Sequence, residues 1–320
     1  MSTSIKAIPD EKQRRRQHWA WYMYDFGNSA YAAVILLAVY SAYFKGQVVG
    51  GAEGSRLWGL AIGAAMLVVA VLSPFLGAIA DFAASKKRML LAFTSLSWVF
   101  TMLLFFVQKG DIWMGFLFFV LAEIGYRGGQ VFYNALLPDI ASPEETGRIS
   151  GNGWAIGSIG GIVCLLFILP AIMLTKSNPV VIRGSFAFTA VFFAVSTIPL
   201  FLWVKERHKA RTLPTGETFL SISIKRLGNT FKAVRHFREF IKFIVAFLIY
   251  NDGILMALDF AAIIGAVLFG MTQTQLIIFM IVVQLTSAIG AYVFGALGEK
   301  IGFKKALIIS LILMIIAVIW

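Results

Sequence analysis

The sequence predicts an all-α, polytopic membrane protein. Of its 320 residues, 59% are hydrophobic and 14% are charged, and the mean hydropathy is +0.82. A typical soluble domain has roughly 45–50% apolar and about 25% charged residues. The apolar residues are also grouped into long runs, most of which reach the roughly 20 residues that a helix needs to cross the hydrocarbon core. Composition and run length together exclude a soluble globular fold.

Nine apolar segments predict nine membrane helices. They lie near residues 19–44, 57–80, 89–108, 112–136, 151–175, 184–204, 240–265, 275–297 and 305–320. The last segment has only about 16 residues, fewer than a span needs, so we expect the chain to stop inside a helix. The first segment is longer than the roughly 7–15 apolar residues of a signal peptide, and we expect it to remain as an uncleaved anchor.

Basic residues in the connections predict the orientation of the chain. They cluster in alternate connections, at residues 14–16, 86–88, 205–239 and 300–305. Lysine and arginine are enriched on the cytoplasmic side of membrane proteins. We therefore expect the N-terminus and these connections in the cytoplasm, with the protein in a plasma (inner) membrane or an endomembrane. This sidedness accounts for the net charge of +12 without a nucleic-acid partner.

The basic connection at 205–239 also predicts the domain organisation. It separates an N-terminal six-helix bundle at 1–204 from the start of a second bundle at 240–320. From Leu220, apolar residues recur every three or four positions among lysines and arginines, which predicts a basic amphipathic helix. Such a helix suits the surface of an anionic leaflet, and a solvated helix between two domains is the alternative.

Two connections repeat one pattern. The stretch from Gly77 to Arg88 reads G-A-I-A-D-F-A-A-S-K-K-R, and the stretch from Gly295 to Lys305 reads G-A-L-G-E-K-I-G-F-K-K. Each follows the second span of its half, which predicts that the halves are parallel repeats. The first half has six spans and the second has three, so we expect about nine of twelve helices in a chain that is truncated at its C-terminus.

These two stretches, the first and second repeat loops, resemble the signature loop of the major facilitator superfamily. The resemblance implies that they help to close the cytoplasmic side of a carrier. The residues expected to form this cytoplasmic gate are Gly77, Asp81, Lys86, Lys87, Arg88, Gly295, Glu299, Gly302 and Lys304.

Four further motifs narrow the resemblance. Residues 24–31 read Y-D-F-G-N-S-A-Y, which looks like the first-helix signature of vacuole effluxer-like transporters, the autophagy-related permease branch of the superfamily. The F-Y-N-A-L-L-P of 132–138, the R-I-S-G-N-G-W-A-I-G of 148–157 and the Y-N-D-G of 250–253 are similar to that branch as well. The resemblance implies a proton- or ion-linked carrier, and some vacuolar relatives export amino acids.

Polar side chains within the predicted spans are the candidate ligands for substrate or coupling ion. A charge at mid-membrane costs about 2.5–3.5 kcal/mol on insertion scales, so it is a functional candidate by default. We expect these groups to face a water-accessible cavity between the two halves. The candidates are Asp25, Asn28, Tyr31, Glu123, Arg127, Asn134, Tyr250, Asn251 and Asp252.

Several polar or small residues have a structural alternative. Glu123 and Arg127 are four residues apart with the acid first, the favourable order for an ion pair on one helix. The R-G-G-Q that starts at Arg127 resembles a fourth-helix motif associated with proton coupling, and a structural ion pair is the alternative. Asp259 is more typical of a bond between helices. Glycines at 153, 157 and 161 predict close helix packing.

The predicted function is secondary active transport of a small solute, with proton-linked efflux by alternating access and amino acids as one substrate class. The expected partners are the lipid bilayer, the solute and protons, and we expect a monomer. The alternative is an intramembrane enzyme, a channel or a scaffold. The sequence contains neither H-E-x-x-H nor G-x-x-x-x-G-K-[ST], so no metal or other cofactor is expected. The single cysteine, Cys164, cannot form an intrachain disulfide.

Overall fold

The computed structural model describes residues 11–319 with internal gaps. The residues outside the description are 1–10, 84, 207–220, 222–223, 226–227, 230–231, 234–236, 268, 272 and 320. The side chains at 78–83, 255–267, 273–278, 280 and 318 are also outside it. The predicted amphipathic helix and the side chains of Asp81 and Asp259 therefore lie largely or wholly outside the described residues.

Nine long α-helices follow one another in the described part of the chain. They are α1 (Glu11–Tyr31), α2 (Gly51–Ala83), α3 (Lys86–Leu103), α4 (Ile112–Ala135), α5 (Thr146–Leu174), α6 (Pro179–Trp203), α7 (Arg238–Val267), α8 (Gln273–Ile301) and α9 (Phe303–Ile319). The predicted all-α fold is confirmed. Several helices extend beyond the apolar segments because the first turns of α1 and α5 are built from polar residues that hydropathy does not report.

The first apolar segment continues past α1 in unusual helical geometry. Residues Ala32–Ala38 and Phe44–Val49 are π-helical, with the α-helical turn Tyr40–Tyr43 between them. The Val39 N–H donates to the Val34 carbonyl at 2.8 Å, five residues back, as a π-turn requires. Gly50, with φ of +86°, ends the segment in a conformation that glycine adopts without strain.

Six helical segments in the described part of the chain are long and apolar enough to cross a membrane. They are Glu11–Val49, Gly51–Gly77, Lys86–Phe106, Thr146–Leu174, Pro179–Trp203 and Ile281–Ile301. Large apolar side chains are exposed on these helices, such as Leu67 at 66% and Phe167 at 64%. A soluble monomer rarely exposes extensive apolar patches, whereas lipid tails cover such side chains at no cost.

The chain divides into two compact units. The first comprises Met1–Arg211 with Ser287–Trp320, and the second comprises Thr212–Thr286. In the first unit, α1 packs against α5 and α6, α3 packs against α4 and α6, and α2 packs against α4. The second unit contains α7 and the first half of α8. The division expected from the sequence, at residues 204 and 239, stays a prediction.

Glycines on α5 allow α1 to approach closely. A Cβ at Gly157 would lie 2.8 Å from both the Asp25 Oδ2 and the Ser29 Oγ atoms, and a Cβ at Gly160 would overlap the backbone of Phe26. A Cβ at Gly153 would overlap the Trp21 ring, and a Cβ at Gly161 would lie 3.2 Å from the Ser29 carbonyl oxygen, so the close packing predicted at Gly153, Gly157 and Gly161 is confirmed. The same contact places the polar residues of α1 inside the first unit.

Candidate functional site

The polar residues of the first motif are buried where α1 meets α5. Asp25 is 9% exposed, and Asn28, three residues later on the same helix, is 2% exposed. No ion pair involves Asp25 in the part of the chain that the structure describes. Within the same residues, the Asn28 Oδ1 atom is buried without a hydrogen-bond partner. This part of α1 therefore combines an acid without a cation and an acceptor without a donor.

Glu123 is the centre of a second buried cluster. The Tyr31 hydroxyl donates to Glu123 Oε2 at 3.1 Å, and Arg127 Nε donates to Glu123 Oε1 at 2.8 Å. Glu123 is completely buried, whereas a third of the Arg127 side chain is exposed. The ion pair that the spacing predicts is therefore formed, and it is joined to α1 through Tyr31.

The Arg127 guanidinium lies beside an aromatic pair. Its Cζ atom is 5.6 Å from the centre of the Tyr126 ring, which stacks on the Tyr31 ring at 4.6 Å. Arg127 uses only its Nε atom for Glu123, and no hydrogen bond involves its Nη atoms in the described residues. The remaining donors of this guanidinium can therefore bind a carboxylate.

Stacked aromatic rings fix α1 against α4. Tyr133 stacks between Trp21 and Tyr24, with ring-centre distances of 4.3 and 4.7 Å. The Tyr133 hydroxyl donates to the Trp21 carbonyl at 3.2 Å, and the Tyr24 hydroxyl is bonded to Thr94 Oγ1 at 2.9 Å. The stack of Trp21, Tyr133 and Tyr24 therefore fixes the position of the α1 turn that carries Asp25.

The other candidate ligands lie elsewhere. Asn134 is exposed in the last turn of α4. Tyr250, Asn251 and Asp252 lie on α7 in the second unit, where Asp252 is exposed and the other two are half-buried. Their predicted role in the same site as Asp25 stays a prediction.

The lysines of the first repeat loop bind neighbouring helix ends. Glu206, just after α6, accepts the backbone N–H groups of Lys86 and Lys87 at 3.2 and 2.9 Å. Lys86 Nζ donates to the Ala135 carbonyl at 3.1 Å and lies 3.5 Å from Asp139 Oδ2. These contacts hold the start of α3 against the ends of α4 and α6.

The remaining residues of this loop are less connected. Lys87 Nζ donates to the Val204 carbonyl at 2.8 Å, whereas Arg88 is exposed and Gly77 has open space around its Cβ position. The sequence interpretation missed Glu206 and Asp139. The signal for Glu206 was that it is an acid in a largely basic connection, which indicates a partner for a nearby lysine.

Glu299 of the second repeat loop pairs with α5. Its Oε1 atom lies 3.3 Å from Arg148 Nε, within the first unit. Gly295 lies beside the Gly151 backbone. Gly302, with φ of +90°, separates α8 from α9, and Lys304 is exposed in the first turn of α9.

The comparisons with known proteins identify membrane transporters. A family model described as "Vacuole effluxer Atg22 like" matches residues 59–320. The uncharacterized MFS-type transporter YxiO of Bacillus subtilis (strain 168) is 28% identical over 319 residues, which cover 97% of this chain and 74% of that protein. Autophagy-related protein 22-1 of Aspergillus niger is 23% identical over 151 residues, which cover 45% of this chain and 24% of that protein.

A solved structure supplies a comparison of folds. The major facilitator superfamily proton:xylose symporter XylE, bound to 6-bromo-6-deoxy-D-glucose, has a TM-score of 0.63 at 13% identity. The matched region covers 92% of this chain and 70% of the XylE chain. At this identity the likeness concerns the fold alone.

Proposed function

The chain belongs to the vacuole effluxer Atg22-like family, and from that premise we propose that it exports a small solute in a proton-linked cycle, with amino acids as the first class to test. The family that the sequence motifs indicate is confirmed. The protein is an integral multi-pass membrane protein of the major facilitator fold, and it is a secondary transporter rather than an enzyme.

One observation carries the proton-linked part of the proposal: Asp25 is buried without an ion pair in the described residues. A carboxyl without a counter-ion is buried at low cost only when it carries a proton. A change of state that hydrates this carboxyl would release the proton, and a return to the buried position would take one up. Asp25 is therefore the group that we assign to proton movement.

Arg127 supports a substrate with a carboxylate. Arg127 forms an ion pair with the buried Glu123, and this pair fixes the position of the guanidinium. A third of the Arg127 side chain is exposed. A guanidinium with free Nη donors binds a carboxylate through two parallel hydrogen bonds. Tyr31 and Asn28 would position the solute between Arg127 and Asp25. That Tyr250, Asn251 and Asp252 also bind the solute stays a prediction from the sequence.

The proposed cycle is alternating access by a monomer. The two repeated halves rock about a central site, and the contact between Arg148 and Glu299 closes the side on which the repeat loops lie. The distribution of basic residues supports a cytoplasmic position for this side and for the N-terminus, in a plasma (inner) membrane or an endomembrane. Labelling of single introduced cysteines with an impermeant maleimide would determine the sidedness.

The test is solute flux in proteoliposomes that contain the full-length protein and an imposed pH gradient. We expect saturable movement of amino acids that responds to the gradient. Asp25→Asn is expected to lose this response, because the amide cannot exchange a proton. Free amino acids should compete at least ~10-fold better than their carboxamides, since a charge-assisted hydrogen bond contributes about 1.5–3 kcal/mol.

Glu53→Gln is the matched control, because Glu53 is an exposed acid at the start of α2 that pairs with Arg56. Its flux and its response to the gradient should equal those of the parent protein. An unchanged response in Asp25→Asn would contradict the assigned role of Asp25. Flux that does not saturate would indicate a channel.

A further inference from the structure

Four charged side chains form an alternating row across three helices of the first unit. Arg14 of α1 pairs with Glu145, which precedes α5. Glu145 Oε1 lies 3.4 Å from Arg148 Nη2, and Arg148 Nε lies 3.3 Å from Glu299 Oε1 of α8. The row thus connects the segment that precedes the first apolar run to the contact between α5 and α8.

Arg148 is shared between two carboxylates. The distances from Arg148 to Glu145 and to Glu299 both exceed the roughly 2.7–2.9 Å of a strong N⁺–H···O⁻ bond. Arg148 therefore forms a strong hydrogen bond with neither acid. The other oxygen atom of Glu145 accepts a hydrogen bond from Arg14. A change that weakens the bond from Arg14 to Glu145 should therefore strengthen the pair between Glu145 and Arg148 and weaken the pair between Arg148 and Glu299.

Glu145 must be negatively charged to compete with Glu299 for Arg148. Partial burial raises the pKa of its carboxyl, but hydrogen bonds from Ser142 and the positive charge of Arg14 outweigh this effect, and the pKa lies below its ordinary value. Glu145 is therefore ionised at neutral pH.

The segment that carries Arg14 is anchored at three further points. His18 Nε2 is bonded to the Ile140 carbonyl at 2.9 Å, and Gln17 Nε2 donates to the Trp203 carbonyl at 3.4 Å. The Arg16 guanidinium lies 4.0 Å from the centre of the Trp203 ring. These contacts fix the segment to the short helix Leu137–Ile140 and to the end of α6, so the position of Arg14 is set by the fold.

We infer that Arg14 and Glu145 are positioning residues of the gate, and that Arg14 strengthens the contact between Arg148 and Glu299 by holding Glu145 away from it. The inference rests on the proposed function in one respect, namely that the α5–α8 contact opens and closes during transport. It does not depend on which solute moves or on proton linkage.

The experiment measures the distance between spin labels at Ser150 and Lys300, both exposed positions, on α5 and α8. The full-length protein, with Cys164→Ser, is placed in lipid nanodiscs. Arg14→Gln is expected to raise the ratio of long to short distances about 1.5- to 5-fold, as for the loss of one partly exposed ion pair. Glu145→Gln is expected to lower it, because the competitor of Glu299 is gone.

The double variant distinguishes positioning from general destabilisation. Arg14→Gln should have no further effect in the Glu145→Gln background, and Arg14→Lys should restore the parent distribution. Arg15→Gln is the matched control, because Arg15 forms an exposed pair with Glu11 within α1. A shift in the same direction for both single variants, or an additive effect in the double variant, would overturn the inference.

Glu299→Gln tests the premise separately. It should raise the ratio of long to short distances more than Arg14→Gln does, because it removes the contact itself. An unchanged distance distribution in Glu299→Gln would show that the contact between Arg148 and Glu299 is not a gate, and it would contradict the inference. Failure of the solute or proton proposals would instead appear only in the flux assay.

Discussion

At the scale of single residues, the missing side chain of Gly160 determines how closely α1 and α5 pack. A Cβ at this position would lie 2.6 Å from the Phe26 carbonyl carbon, and backbone cannot move aside as a flexible side chain can. Gly160→Ala is therefore expected to destabilise the protein by about 1–3 kcal/mol, the usual cost of overpacking. Thermal unfolding in detergent would measure the loss.

Gly63→Ala is the control for this change. Gly63 is also in the interior of a long helix, α2, and its Cβ position has no atom within 4 Å. Because alanine favours a helix more than glycine does, this variant should be as stable as the parent or slightly more stable. An equal loss in both variants would show that the effect comes from the helix and not from its contact with α1.

Single-residue reasoning from the sequence identified a contact within one helix and the glycines at which helices pack closely, but it did not identify the partners of polar side chains on other helices. The spacing of Glu123 and Arg127 predicted their pair, since residues four apart lie on one face of a helix. The bond from Tyr31 to Glu123 was beyond that reasoning, because it requires α1 and α4 to be neighbours at a particular rotation. The position of Asp25 against Gly157 depends on a third helix for the same reason.

At the scale of helices, Glu206 is expected to stabilise the start of α3. The first N–H groups of a helix have no partner within the helix, and Glu206 accepts two of them, from Lys86 and Lys87. Glu206→Gln replaces a charged acceptor near a helix N-terminus with a neutral one. We expect a loss of about 0.5–2 kcal/mol, as for other N-terminal caps, and faster hydrogen exchange of both amides.

Glu53→Gln again provides the comparison. Glu53 is also an acid in the vicinity of a helix start, but it bonds the Arg56 side chain and not backbone N–H groups at another helix. Exchange at Lys86 and Lys87 should be unchanged in this variant. Unchanged exchange in Glu206→Gln too would mean that the carboxylate does not cap α3.

The number and approximate positions of the helices were predictable from the sequence, whereas their exact ends and their π-helical turns were not. The lengths of the apolar runs predicted nine helices because a segment inside the bilayer must satisfy its own backbone hydrogen bonds, whichever helices are its neighbours. The π-helical turns after Tyr31 leave no such signal, since their residues are as apolar as those of an α-helix. The polar start of α1, from Glu11 to His18, is helical because it is bonded to α6 and to the short helix Leu137–Ile140, and hydropathy cannot report those contacts.

At the scale of the whole molecule, the two repeat loops differ in what they bind, although their sequences are alike. The lysines of the first loop hold the ends of α3, α4 and α6 together. Glu299 of the second loop pairs with α5, one helix of the preceding repeat. A repeat in sequence predicted equivalent positions, but the partners depend on which helix ends are adjacent in the folded chain.

A close approach of the two repeats, at Gly151 and Gly295, offers a direct test of alternating access. The Cβ position at Gly151 lies 3.3 Å from Gly295 Cα, and the Cβ position at Gly295 lies 3.5 Å from Gly151 Cα. The two Cα atoms are thus at most about 5 Å apart, within the roughly 4.4–6.8 Å that a disulfide spans. Gly151→Cys with Gly295→Cys, in a Cys164→Ser protein, should therefore cross-link α5 to α8 under mild oxidation.

We expect the oxidised double variant to lose solute flux, because α5 and α8 could no longer separate, and to regain it after reduction. The reduced double variant and the two single variants are the controls for the added side chains, since a Cβ at Gly151 also requires the Ala291 carbonyl to shift. If the protein cross-links fully and still transports, α5 and α8 stay together throughout the cycle. Opening on that side would then have to occur at another pair of helices, and Glu299 would be a structural residue.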